Sequence, residues 1–190
     1  MKDSQRMNSV EPQAATGRTK ELLDTVQQAF GAVPNAAKVM ANSPAVLDSF
    51  LAFSVAMNRA EIGDKLHTQV KLTASELNTC DYCTALLSAV GSSAGLTAAD
   101  ILSGRAAAAP DARTAAALRF AKAVMQTHGK VTDEEVHAVR QAGFGDGEVA
   151  EIVASVVLGC FTNFLNNVAR TDLDLDFPSA GPVAGPASED

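Results

Sequence analysis

The chain has 190 residues, enough for one domain with a full core, and 47% of them are hydrophobic against 19% charged. Lys and Arg number 15 and Asp and Glu 22, so the net charge is −7, which argues against nucleic acid and anionic membrane as partners. There is no Trp and one Tyr, so Ala, Val and Leu must build the core, a composition that favours helices.

Residues 1–14 are polar and aperiodic, which predicts a disordered lead. They carry no apolar run of the kind a secretory signal needs, so the expected location is the cytoplasm. From Lys20 to Phe30, Leu22, Leu23, Val26 and Phe30 recur at helical spacing, closed by Gly31. Val33-Pro34-Asn35 reads as a turn, and Ala36 to Ala41 as a short helix. Ser43-Pro44 predicts an N-cap and first helical position, opening a helix to about Arg59 with Leu47, Phe50, Leu51 and Val55 on one face. Gly63-Asp64 starts a helix through Leu66, Val70, Leu72 and Leu77, ending near Asn78-Thr79. Another follows from about Cys80 to Ser92, with Cys83, Leu86, Leu87 and Val90 at helical spacing.

Thr97 to Asp100 resembles a capping box before a short helix to Ser103, after which Arg105 to Pro110 reads as an Ala-rich loop or fraying turn. Asp111 caps a long helix ending at His128-Gly129, and Thr132 to Glu135 is a capping box whose helix ends at Gly143. Asp146 opens the most apolar helix. Its Val149, Ile152, Val153, Val156, Val157, Cys160, Phe164 and Val168 predict burial, either centrally or at a subunit contact. The run Ile152 to Phe161 within it is too short to span a membrane. Asn163, Asn166 and Asn167 are unfavourable mid-helix and point to hydrogen bonds there. No strand is predicted. The expected organisation is a single all-α, helical-hairpin domain over residues 15–178, with a disordered tail over 179–190.

Chemistry concentrates at Cys80-Asp81-Tyr82-Cys83, which holds two of the three cysteines. Thiols three residues apart at a helix start share a face, can close a small disulfide, and feel the positive end of the helix dipole, which favours thiolate. Outside an oxidising compartment such a pair reads as redox-active or metal-binding rather than structural. Two core cysteines that merely fall three apart are the plain alternative. A zinc site needs about four ligands, and the others on offer are Cys160 and the scattered His67, His128 and His137. His67 is a candidate proton shuttle, against a surface histidine; Glu76, four residues before Cys80, is a carboxylate near the thiols or an exposed helix-end residue. Cys160 reads as a small core residue.

Taken together, Ala29 to Asn35, Val39 to Pro44, Asn78 to Cys83, Phe161 to Asn167 and Asp174 to Pro178 resemble the carboxymuconolactone decarboxylase-like superfamily, in its alkyl hydroperoxidase D-like (AhpD-like), peroxidase-related branch. The resemblance implies an all-α fold, a homo-oligomer (a trimer or hexamer), and reduction of a small-molecule peroxide without metal or tightly bound cofactor. It implies that Cys83 attacks the peroxide, that Cys80 resolves the sulfenate as a disulfide, and that an external dithiol of lipoyl or thioredoxin-like type recharges the pair. Two positions depart from the family pattern. Its His, four residues after the second cysteine, is here Leu87, and its Glu, twelve before the first, is here Thr68. Their loss predicts attenuated peroxidase activity. A non-catalytic or redox-sensing oligomer is the alternative, and a decarboxylase-type lyase, which does not depend on the cysteine pair, a further one.

Overall fold

The computed structural model describes residues 5–93 and 95–174. Among them are nine helices and no strand: α1 (Gly17–Phe30), α2 (Asn35–Met40), α3 (Pro44–Met57), α4 (Gly63–Leu77), α5 (Asp81–Ser93), α6 (Ala98–Ala106), α7 (Ala112–Thr127), α8 (Asp133–Gln141) and α9 (Asp146–Ala169). The boundary signals act as their chemistry dictates. Gly31 ends α1 in the left-handed conformation. Thr97 with Asp100, and Thr132 with Glu135, close reciprocal capping boxes. The Asp111 side chain accepts from the Thr114 N–H. One boundary is corrected: α6 runs past Ser103 through Ala106, so Arg105 is helical.

Helix α4 is the hub, packed against α5, α6, α7 and α9. Its central residues are buried on almost every side, including His67, Thr68, Gln69, Thr73 and Ser75. A buried polar group is costly without a partner, and α6 and α9 supply them. Gln69 Nε2 donates to the Asp100 carbonyl at 3.0 Å. Thr73 Oγ1 donates to the Gly104 carbonyl at 2.6 Å. Ser75 Oγ accepts from Asn163 Nδ2 at 3.0 Å. Glycines allow these approaches: a Cβ on Gly104 would stand 3.0 Å from the Gln69 backbone, and one on Gly159 would stand 2.9 Å from the Ala74 Cβ.

Three apolar clusters result. The first joins α4, α7, α8 and α9 around Val70, Leu118, Phe120 and Ile152. The second joins α1, α2 and α3 around Leu23, Val26, Met40 and Leu47. The third is small and holds both paired cysteines with Ala36 and Tyr82. On α3, Leu47 and Leu51 are buried as expected, but Val55 points to solvent. Helix α9 is divided: Ile152, Val156, Leu158, Asn163 and Asn166 face inward, while Val157, Phe164 and Val168 stand exposed. By length and composition it could cross a membrane. Its buried polar face, seated against α4 and α5, is that of a core helix.

The lead expected to lack order is attached where it is described. Arg6 N–H donates to the Ala169 carbonyl at 2.7 Å and Val10 N–H to the Lys38 carbonyl at 3.1 Å, while Val10 packs on the second cluster. Carbonyls left without partners at the ends of α9 and α2 provide these acceptors. Residues 1–4 and 175–190, which include the expected tail, lie outside the described residues.

Candidate active site

The end of α4 and the start of α5 form one device. Thr79 N–H donates to the Glu76 carbonyl at 3.1 Å and Cys80 N–H to the Ser75 carbonyl at 2.9 Å, the paired bonds of a Schellman motif. That motif needs a left-handed residue, and Thr79 fills the position with φ 49° although it is β-branched. The chain reverses at once, which puts Cys80 immediately before the first residue of α5. Cys80 Sγ occupies the N-cap acceptor position and receives the Cys83 N–H at 3.3 Å.

Cys80 and Cys83 are joined as a disulfide with their Cα atoms 5.3 Å apart. The pair is enclosed: Cys80 is 1% exposed and Cys83 4%. Asn166, from the last turns of α9, donates Nδ2–H to Cys83 Sγ at 3.4 Å. Its Oδ1 accepts from Thr171 Oγ1 at 2.7 Å. Tyr82, between the cysteines, donates its hydroxyl to Asp174 at 2.6 Å and accepts from the Ala36 N–H at 3.0 Å. Burial, then the bond to Asp174, pushes the Tyr82 hydroxyl above the usual tyrosine range, so it stays protonated. Asn78 bridges the same region, donating to Asn163 Oδ1 at 3.0 Å and to Cys160 Sγ at 3.5 Å.

The structure gives each of the two proposed proton carriers a partner other than the thiols. His67 is not a surface residue. It is 5% exposed, and ten steps along α4 set it about 15 Å from Leu77, where that helix ends. Its Nδ1 lies 2.8 Å from Ser155 Oγ. That hydroxyl spends its single proton on the Glu151 carbonyl at 2.7 Å, so the ring donates from Nδ1. Burial, reinforced by the Lys71 charge, lowers His67 to about 3, so the ring is neutral at physiological pH. Lys71, partly accessible at its surface but densely surrounded, is itself lowered by burial to about 8.

Glu76 is neither free nor turned to the sulfurs. It forms a two-pronged ion pair with Arg105, with Nε–Oε2 at 2.9 Å and the second contact at 3.5 Å. Of the positions where the family pattern has its relay, Thr68 is buried, with its methyl 3.5 Å from where a Cβ on Gly91 of α5 would lie, and Leu87 is half-buried. Neither side chain ionises at physiological pH, so neither replaces the Glu or the His. Sequence reasoning named the α9 asparagines only as hydrogen-bonding residues. It missed that Asn166 touches a sulfur, and it gave Tyr82, Thr171 and Asp174 no role.

Helices arranged about α4, with a cysteine pair opening the helix that follows it, constitute an AhpD-like fold. The solved structures this chain is similar to are particular about that class. One is an uncharacterized peroxidase-related protein from Ralstonia eutropha JMP134 described as an alkylhydroperoxidase AhpD core, with 20% identity, 90% of this chain and 93% of that one covered, and a TM-score of 0.78. A second is an uncharacterized peroxidase-related protein from Silicibacter sp. TM1040, with 20% identity, 84% and 86% covered, and a TM-score of 0.73. A third is the debrominase Bmp8, a cysteine-to-alanine variant of which was solved with 2,3,4-tribromopyrrole, with 16% identity, 88% and 90% covered, and a TM-score of 0.75. No family model and no curated protein matches the chain.

Proposed function

We propose that the chain is a thiol-dependent hydroperoxidase, or disulfide oxidoreductase, working through Cys80 and Cys83. The observation that carries this reading is the bonded pair at the N-terminus of α5 within an AhpD-like fold. In the reduced protein the Cys83 thiolate attacks the distal peroxide oxygen. An S–O bond forms, the O–O bond breaks, and the alkoxide leaves as alcohol after taking a proton. The Cys80 thiolate then attacks the sulfenic sulfur, an S–S bond forms, and hydroxide departs as water. An external dithiol of lipoyl or thioredoxin-like type, itself oxidised to its disulfide, returns both thiols.

Leu87 and Thr68 leave the proton steps to solvent. General acid–base help is worth roughly 10²- to 10⁴-fold, so turnover is slow by that measure. Recharging by such dithiols suits a reducing compartment, and we place the protein in the cytoplasm. We also propose a homo-oligomer, a trimer or hexamer, because Val157, Phe161, Phe164 and Val168 form an apolar stripe along α9 that the single chain leaves accessible. Sedimentation of Phe164→Glu should show smaller species than the parent chain; a parent that sediments as a monomer overturns this part.

The near-complete burial of both cysteines supports the second reading, a redox-sensing member without turnover. The likeness to a debrominase suggests an aryl bromide as another oxidant, since two thiols and an aryl bromide balance as disulfide, arene and HBr. The deciding experiment measures consumption of an organic hydroperoxide, and separately of a brominated pyrrole, with dihydrolipoamide as reductant. Peroxide turnover by the parent chain that is lost in Cys83→Ser supports the peroxidase. Turnover that survives the substitution refutes the role of Cys83, and no turnover by either protein transfers the reading to the sensor.

A further inference from the structure

We propose that Asn166 is a catalytic residue of the pair, its buried side-chain amide holding the Cys83 sulfur as thiolate, with Thr171 as the positioning residue that fixes the amide. The inference rests on the dithiol reading above and assigns the donor that the relay positions lack.

Cys83 is almost wholly buried, and a thiolate taken out of water needs donors. The backbone N–H of Cys83 is directed at Cys80 Sγ, so it serves the other sulfur. Asn166, 3% exposed, brings Nδ2 to 3.4 Å from Cys83 Sγ. An amide rotated by half a turn would set Oδ1 against the sulfur, two lone-pair atoms in contact. The observed rotamer instead gives Oδ1 the Thr171 hydroxyl at 2.7 Å. Thr171 is itself held by its backbone N–H on the Asn166 carbonyl at 3.1 Å.

The contact is unequal across the redox cycle. A disulfide sulfur is a weak acceptor, so the amide gains little in the oxidised form seen here. A thiolate at the same place accepts a charge-assisted bond, which is about twice as strong as a neutral one. The amide therefore favours the reduced, ionised state, the one that attacks an oxidant.

Among the described residues, no hydrogen bond joins a charged side chain to either sulfur. The charged groups on elements packed against α5 include Lys71 and Glu76 on α4, Asp100 and Arg105 on α6, and Arg170 and Asp174 after α9. Glu76 is on Arg105, Asp174 on Tyr82, and Asp100 in its own capping box. Asp81, on α5 itself, is exposed.

The test is alkylation of the reduced full chain by iodoacetamide across pH, read on the Cys83 peptide by mass spectrometry, for the parent, Asn166→Ala and Thr171→Val. Asn166→Ala should raise the apparent Cys83 pKa by about one unit, a tenfold fall in the thiolate-to-thiol ratio. Thr171→Val should shift it the same way by less, and Cys160, read in the same samples, should not move. A Cys83 titration that coincides with the parent's in Asn166→Ala overturns the proposal. If Asn166→Ala loses its helical circular dichroism, Thr171→Val, which lies outside α9, decides alone: a shift supports the proposal and coincidence overturns it. Peroxide consumption in the same samples separates the two ideas. A shifted titration with no turnover in any protein upholds Asn166 and sinks the peroxidase. An unshifted titration with parental turnover does the reverse.

Discussion

Acid should weaken this protein through one histidine, and the effect can be sized. His67 falls from an ordinary 6.5 to about 3 because the fold buries it and sets it beside the Lys71 charge. The unfolded chain therefore binds a proton near 6.5 that the native protein refuses until about 3. Between those values the unfolded state holds more protons, so stability rises with pH across the window and is lost as pH falls into it. From pH 7 to pH 5 the two values give a loss of about 2 kcal/mol, and no loss from this group above the unfolded value. His67→Asn keeps an N–H donor toward Ser155 but cannot titrate. Its urea midpoints, measured at fixed protein concentration at pH 5, 6 and 7, should give a profile flatter than the parent's by about that amount. Carboxylates contribute equally to both proteins and cancel. Parallel profiles for the two would refute the buried, neutral assignment.

Other expectations follow from packing and backbone. Gly159→Ala places a methyl 2.9 Å from the Ala74 Cβ, and the clash should outweigh the better helix propensity. The net cost should be about 1–2 kcal/mol in chemical denaturation. Thr79→Gly relieves a left-handed β-branched residue at φ 49°. Removing roughly 1–2 kcal/mol of strain against roughly 0.5–1 kcal/mol of added chain entropy should stabilise the protein slightly; a lower melting temperature would contradict the motif. Leu87→His together with Thr68→Glu should raise peroxide turnover by at least about tenfold if the missing relay limits the rate. An unchanged rate in the folded double variant would mean that proton transfer is not limiting.

Much of the architecture was legible because it is written locally. Capping boxes at Thr97 and Thr132, the left-handed Gly31 and the helical spacing of α1 and α7 each depend on residues within a turn or two. The cysteine pair at a helix start is equally local. The burial of α4 was not legible. Its interior contains His67, Gln69, Thr73 and Ser75, which hydropathy assigns to a surface, and the groups that satisfy them come from α6 and α9, 31 to 88 residues away in sequence. Local spacing therefore cannot tell a shuttle from a surface histidine at His67, nor a carboxylate near the thiols from a helix-end residue at Glu76, which Arg105, 29 residues on, holds. Asn166 gave a partial signal, since an amide in the most apolar helix must find a partner. Only the tertiary fold shows that the partner is Cys83 Sγ, 83 positions earlier.

The most direct test of the account is a single-turnover titration of the reduced protein with one equivalent of an organic hydroperoxide, mapping the thiols by mass spectrometry afterwards. The account predicts one alcohol formed for each Cys80–Cys83 disulfide, with Cys160 left as a free thiol. Peroxide left unconsumed, or the same yield of alcohol from Cys83→Ser, would contradict it.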